Sequence, residues 1–282
     1  MSAPLQNASD LAPGDFGSAD FDWTGFDVHR IRSDGDEKFD EAYDYLWQEF
    51  HSKHELEERE VLARRLEWPV DATMGRYAML YELMLVEHDG RVAGVRDQTA
   101  IVSLEEEKPF AIVHLSHVVV ASKWRGKGLA GWMRAWPIQT ARACLNAVGY
   151  DENLPMTLVA EMEHFDPSDR AVVGRLTAYQ RAGFHKIDPR AISYHQPDFR
   201  PVAVIDETGG PRPLPMSLVV RCVKREDQKE IYGQNVRRIV EALYHMYAFE
   251  FRPTDMVPLF EQLKGYPPDT ARIAMVPPTH PS

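Results

Sequence analysis

The chain has 282 residues, 44% of them apolar and 27% charged, with a formal net charge of −11 and two cysteines. That length allows one large or two small domains with a buried core, and an acidic surface repels nucleic acid and anionic membrane. Cys144 and Cys222 are too few for a disulfide framework and suit a reducing cytosol, the acidic first twenty residues have the wrong charge for a targeting peptide, and no apolar stretch is long enough to span a membrane, so a soluble cytoplasmic protein with no nucleic-acid or membrane partner is expected.

Residues 1–24 are rich in Ser, Ala, Pro, Gly and Asp and read as a loosely ordered arm. A short strand over 26–31 precedes a helical stretch over about 37–66, where Phe39, Tyr43, Leu46, Trp47 and Phe50 recur at helical spacing. The runs 77–87 and 92–102 flank His88-Asp89-Gly90-Arg91, and Asp-Gly between apolar runs predicts a tight hairpin. A third strand over 110–121 leads into a glycine loop, and a helix follows over 129–147. A strand over 156–163 is next, then a helix from about 168 that stops at Gly183, and a strand over 184–187. A Pro- and Gly-rich excursion over 196–215 leads to a strand over 216–223. Residues 227–249 read as one long helix with a stripe of Ile231, Val236, Ile239, Val240, Leu243 and Met246, and 277–282 as a tail. The organisation expected is a flexible arm (1–24), an α/β domain of mixed, largely antiparallel sheet flanked by helices (25–224), and a helical C-terminal extension (225–282).

The feature that points to chemistry lies between Glu107 and Asp151, where 43 consecutive residues contain no Asp or Glu. That window holds Lys108, Lys123, Arg125, Lys127, Arg134 and Arg142, and its centre reads Lys123-Trp124-Arg125-Gly126-Lys127-Gly128-Leu129-Ala130 directly after Val118-Val119-Val120. A strand that ends in a basic glycine loop and continues into a helix suits a phosphate. Glycine lets backbone N–H groups approach the anion, the helix start adds partial positive charge, and Arg and Lys complete the neutralisation. Gly126, Gly128 and Gly131 also satisfy the spacing of a dinucleotide loop, but no acid stands about twenty residues on, and the preceding elements form an antiparallel hairpin. A nucleoside-triphosphate loop is excluded because no Ser or Thr follows Lys127. Tight packing alone would explain the glycines but not the three cations among them.

Arg125-x-x-Gly128-x-Ala130 after an apolar strand resembles the pyrophosphate loop of the GNAT superfamily of acyl-CoA-dependent N-acetyltransferases. Leu176-Thr177-Ala178-Tyr179-Gln180-Arg181-Ala182-Gly183-Phe184 is similar to that family's later Tyr-bearing helix, and Asp89-Gly90-Arg91-Val92-Ala93-Gly94 to its hairpin. The resemblance covers about residues 26–224. It departs at Ser122, where the family usually has Pro, and at Asp166, Ser168 and Asp169, where it often has Asn. It implies a GNAT-like fold and transfer of an acetyl or other short acyl group from acyl-CoA, with acetyl-CoA as co-substrate. The acceptor would be a primary amine on a small molecule or peptide, and a homodimer is one expected assembly. The acidic surface favours a cationic acceptor.

The resemblance also implies site residues. Arg125, Gly126, Lys127, Gly128, Leu129 and Ala130 would hold the diphosphate, with Arg134 and Lys123 as further phosphate partners or a solvated basic face. Val118, Val119 and Val120 would present strand backbone to pantetheine. Tyr179 would be the acid that protonates the departing thiolate, or else a core-edge aromatic. Strand alternation puts His114, Ser116, Val118 and Val120 on one face and Leu115, His117 and Val119 on the other. Members of that family often draw the base from the Val118 face several residues upstream, so the resemblance favours His114 over His117 as proton acceptor or relay, against a hydrogen-bonded structural role. Glu161, with Glu163 on the same face, could take the amine proton, attract a cationic substrate or be salt-bridged. The polar run Arg96-Asp97-Gln98-Thr99 faces a cavity or marks a bulge or solvated edge, and Glu105-Glu106-Glu107 reads as a solvated loop. Neither cysteine sits in a nucleophile motif and no metal-ligand spacing is found. Two other functions remain open: an acyl-CoA sensor or scaffold without turnover, and a nicotinamide-dependent oxidoreductase.

Overall fold

A computed structural model describes residues 7–53, 55–71, 75–104 and 109–281. The start of the expected arm, Glu105-Glu106-Glu107, Lys108 and Ser282 lie outside them. The chain divides into two compact units, Met1–Met156 and Thr157–Ser282.

In the first unit β1 (Phe26–Ile31), β2 (Tyr77–His88), β3 (Arg91–Ser103) and β4 (Ala111–Val120) pair antiparallel in chain order. The β2–β3 turn forms at Asp89-Gly90, both with positive φ (50° and 69°), the conformation a two-residue hairpin demands. Helices α1 (Phe39–Phe50) and α2 (Arg59–Leu66) cover one face, packing Phe39, Leu46 and Leu62 on Tyr81, Leu83, Leu85, Val95 and Val119. Helices α3 (Leu129–Ala135) and α4 (Pro137–Ala147) belong to the other: Leu129, Trp132 and Met133 of α3 pack with Met84, Val86, Ala93, Val118 and Val120, and Thr140 of α4 donates to Glu82 of β2 (2.6 Å). Leu46, Leu83 and Leu85 are fully buried, and truncating any of them to Ala costs about 2–5 kcal/mol.

Two helices expected as single pieces are divided. Pro137 has no N–H and its ring crowds the preceding turn, so 129–147 becomes α3 and α4. Between α1 and α2 the carbonyls leave the helix to meet side chains: Glu57 O accepts from Tyr43 Oη (3.3 Å), and Glu55 O lies 2.7 Å from His117 Nε2.

The described part of the expected loose arm is folded. Two short 3₁₀ turns, Ala8–Asp10 and Pro13–Asp20, lie against α3 and α4. Trp132 Nε1 donates to Ser18 O (2.6 Å), Arg134 clamps Asp15 (2.9 and 2.6 Å), and Arg142 clamps Asp10 with both terminal nitrogens (2.7 Å each). Gly131 admits this approach, since a Cβ there would lie 2.2 Å from Ser18 Oγ. Composition missed the order because its anchors are ion pairs to residues more than a hundred positions away.

In the second unit β5 (Met156–Met162, opening on the last residue of the first unit) pairs with β8 (Leu214–Cys222), which also pairs with β6 (His185–Ile187) and β7 (Tyr194–Gln196). Strand β10 (Arg272–Val276) joins β6 to β9 (Glu230–Tyr232), and every one of these pairs is antiparallel. Helix α5 (Arg170–Arg181) starts on Asp169, whose carboxylate accepts from Ala171 N (2.8 Å) and Val172 N (3.2 Å), the N-cap role for which Asp is favoured. The excursion contains β7 in part and α6 (Val202–Glu207). The extension is only partly helical. α7 (Gly233–Tyr247) and α8 (Pro253–Gln262) lie between β9 and β10, and the helix expected from 227 starts at Gly233 because Ile231 is paired with Ile273. A stripe with helical spacing could not distinguish Ile231 as a strand residue.

Candidate functional site

The glycine loop lies in the first unit. After β4 the chain makes a 3₁₀ turn over Ser122–Trp124, passes through Gly126 (φ 73°) and reaches Gly128 (φ 104°), the N-cap of α3. A side chain is disfavoured at Gly128 by that backbone conformation. The Lys123 and Lys127 ammonium groups lie 5.0 and 5.1 Å from the Trp124 ring centre, and Arg125 Nε donates to Val120 O (2.9 Å). Among the described residues no carboxylate pairs with Lys123, Arg125 or Lys127, which leaves three cations around two glycines at the start of a helix.

Arg134 and Arg142 differ from those three. Their clamps on Asp15 and Asp10 neutralise them, so Arg134 is not a spare phosphate partner. The acid-free window is acid-free in sequence only; in space the arm brings acids to its helical half and leaves the loop charged.

On β4, Val118 and Val120 are part-exposed and Val119 is buried among the α1 and α2 side chains. The strand does not alternate simply. Asp97 of β3 pairs with His117 but Thr99 pairs with His114, so Leu115 and Ser116 together oppose Gln98 in a β-bulge. The extra residue flips every side chain upstream of it, which puts His114 on the face of His117 and Val119 rather than that of Val118 and Val120. His114 is buried, with Nδ1 3.1 Å from Ser116 Oγ.

The polar run of β3 is fully buried. Asp97 accepts from His117 N (2.7 Å), His117 Nδ1 (3.0 Å) and Tyr81 Oη (3.0 Å). On the opposite face Gln98 donates to Glu82 (3.2 Å), which also accepts from Thr140 Oγ1 (2.6 Å) and Arg30 Nε (2.5 Å), while Arg96 Nε donates to Gln98 (2.9 Å). These are internal networks rather than a solvated edge. Burial opposes the charge on His117, but the Asp97 carboxylate overrides it and holds the imidazole protonated up to about 9.

In the second unit Tyr179 is buried on α5, its ring 4.8 Å from that of Phe184. The stop at Gly183 (φ 77°) sets this contact, with Phe184 N donating to Tyr179 O (3.0 Å). Glu161 on β5 accepts from Tyr194 Oη, from Tyr247 Oη (2.5 Å) and from Gln196 Nε2 (3.1 Å), while Glu163 is paired with Arg175. Tyr247 belongs to α7, so this cluster ties the C-terminal extension to the sheet of its unit. No sequence motif marked Tyr194 or Tyr247 as partners of Glu161; only the folding of α7 shows it. His164 was also missed: its Nδ1 lies 3.0 Å from Ser217 Oγ, and burial, Lys186 and His195 lower its proton affinity. Both cysteines are buried, and burial pushes the Cys144 thiol up to about 12 and raises that of Cys222, which suits inert thiols.

The fold and loop define an α/β protein of mixed, largely antiparallel sheet flanked by helices, with a basic glycine loop between a strand and a helix. No family model and no curated protein matches the chain. Solved structures to which it is similar include a putative GNAT-family acetyltransferase from Desulfovibrio desulfuricans (16% identity, 70% of this chain and 99% of that chain, TM-score 0.39) and YncA, a putative acetyltransferase from Salmonella typhimurium, with acetyl-CoA (17%, 71% and 95%, TM-score 0.35). A third is the ribosomal-protein-S18-alanine N-acetyltransferase from Escherichia coli (13%, 70% and 94%, TM-score 0.37). Likenesses of this size assign nothing by themselves. No helix among the described residues is long and apolar enough to cross a membrane.

Proposed function

We propose that this protein is a GNAT-type N-acyltransferase that moves an acetyl or short acyl group from acyl-CoA to a primary amine by direct attack. The observation that carries the reading is the loop over 123–128: two glycines with positive φ and three cations without carboxylate partners among the described residues, between an apolar strand and a helix. This donor set suits a diphosphate, because backbone N–H groups and diffuse positive charge converge where no acid competes. No neighbouring atom lies within 4 Å of the Cβ position of Gly126, so that side of the loop is open.

In this reading Arg125, Gly126, Lys127, Gly128, Leu129 and Ala130 bind the diphosphate of the co-substrate, and Val118 and Val120 offer strand backbone to its arm. Acyl-CoA supplies a thioester, whose carbonyl is activated by a backbone N–H donor. Tyr179 holds the proton that the departing sulfur needs; a phenol keeps that proton at neutral pH. His114, which the bulge turns to the face of His117 and Val119, serves as a relay for the amine proton only by way of part-exposed Ser116, whose Oγ lies 3.1 Å from its Nδ1. Glu161, already engaged by two phenols and an amide, suits an orienting role toward a cationic acceptor better than that of a mobile base. The acidic surface favours a cationic small molecule or peptide amine.

Calorimetry with acetyl-CoA and with NADH tests the binding half: acetyl-CoA should bind and NADH should not, and the reverse would return the oxidoreductase reading. Release of CoA thiol with a panel of amines tests turnover. Tight acetyl-CoA binding with no release over any amine would instead indicate a sensor. Tyr179→Phe should lower kcat by about 10- to 10⁴-fold with little change in acetyl-CoA affinity; full activity would remove Tyr179 from the mechanism.

A further inference from the structure

The bulge in β4 is flanked by a buried polar group of its own. Asp97 projects from β3 at the point where the ladder is interrupted, and one of its oxygens accepts both the backbone N–H of His117 (2.7 Å) and the ring Nδ1–H (3.0 Å). The other accepts the Tyr81 hydroxyl (3.0 Å). On the far side of the ring, Nε2 lies 2.7 Å from Glu55 O. A carboxylate and a carbonyl can only accept, so both ring nitrogens must donate, and only the imidazolium carries two N–H groups. Phe50 of α1 packs its ring 4.9 Å from the imidazole. Asp97 is fully buried and His117 is 7% exposed.

We propose that Asp97 and His117 are positioning residues: a buried carboxylate–imidazolium pair that pins the β4 bulge, joins it to the loop before α2, and thereby sets the strand segment Val118–Val120. An unpinned bulge could slip by one residue, and a slip of one residue turns every side chain to the opposite face. The backbone groups of Val118 and Val120 would then be presented in the wrong register. The role assigned to Val118–Val120 rests on the acyl-CoA reading, whereas the charge state of His117 does not.

Among the described residues, the following charged and titratable groups stand around the ring. Asp97 comes from β3 and Tyr81 from β2. Glu57 and Arg65, paired with each other, come from the loop before α2 and from α2, and His114 lies upstream on the same face of β4. Tyr81 stays neutral, since burial and the adjacent Asp97 raise its hydroxyl well above the ordinary value. Of the two, His117 gives up its proton before Tyr81 as pH rises. Its affinity for the proton is higher folded than unfolded, so its stabilisation is complete below about pH 6.5 and is lost as pH rises through about 9.

Histidine-selective ¹⁵N NMR of the full chain, with His117→Gln to identify the signal, tests the pair directly. At pH 7 both ring nitrogens of His117 should show protonated shifts and titrate near 9, and Asp97→Asn should move that titration below 7. A neutral tautomer at pH 7 in the wild type overturns the pair. Acetyl-CoA, which has no free thiol, is the binding probe: its affinity should fall about tenfold or more between pH 8 and 10, as misplacement of a binding element predicts. In Asp97→Asn that loss should already be present at pH 7.5. Affinity that stays flat while His117 titrates overturns the positioning role. A wild type that binds no acetyl-CoA at any pH overturns the acyl-CoA reading instead, and leaves the NMR result to judge the pair. If Asp97→Asn does not fold, the wild-type titration and pH profile decide alone.

Discussion

The loop over 123–128 and the helices after it have the same kind of sequence, basic and free of acids, yet the fold uses their charges in opposite ways. Arg134 and Arg142 are held by Asp15 and Asp10 from the N-terminal segment and fasten that segment to α3 and α4. Lys123, Arg125 and Lys127 flank Gly126 and Gly128 without such partners among the described residues. A run of like charge is therefore not one functional surface. Arg134 and Arg142 are paired and, among the described residues, the three loop cations have no carboxylate partner; only the position of distant acids separates the two groups.

The largest test of that contrast is Gly128→Asp. A carboxylate at the head of α3 should weaken acetyl-CoA binding by at least about 100-fold, since opposed like charges cost several kcal/mol. Because Gly128 has φ 104°, thermal unfolding should accompany the calorimetry; unchanged affinity in a folded variant refutes the loop as the phosphate site. Next comes Asp15→Ala, which leaves a part-buried Arg134 without its carboxylate. Stability by urea unfolding should fall by about 1–3 kcal/mol, with acetyl-CoA affinity unchanged. A loss of affinity without loss of stability would put Arg134 back among the ligand's partners. The smallest effect is ionic. Lys123→Ala should leave stability within about 0.5 kcal/mol of the wild type and reduce the salt dependence of acetyl-CoA binding. Arg142→Ala should do the reverse.

Much of the architecture was legible because its signals are local. Asp89-Gly90 between two apolar runs could hardly be other than a hairpin turn, and Gly183 after Tyr179 stops α5 where expected. The loop glycines were recognisable since positive φ after a strand is a demand that few residues meet. The misreadings share one cause, contacts between residues far apart in sequence. The face assigned to His114 assumed unbroken alternation, and the bulge that breaks it is stabilised by Asp97, twenty positions before His117. The arm looked too polar to order, until Asp10 and Asp15 met arginines. Ile231 fitted a helical stripe, but Ile273 pairs with it as a strand. Glu161 read as a candidate base, and the phenols that engage it come from Tyr194 and from Tyr247 in the extension.

The sequence by itself determined where backbone must turn or stop, because those requirements lie in the chemistry of one residue and its immediate neighbours. Glycine at 126 and 128, Asp-Gly at 89–90 and Pro at 137 act through dihedral angles and missing atoms, which no distant contact alters. Tertiary structure alone decided which charges are free and which are spent, which face of β4 each histidine occupies, and which protonation state His117 holds. Those properties depend on what stands within about 3 Å of a side chain, the range over which hydrogen bonds form, and in this protein the deciding partner is tens of residues or more away along the chain.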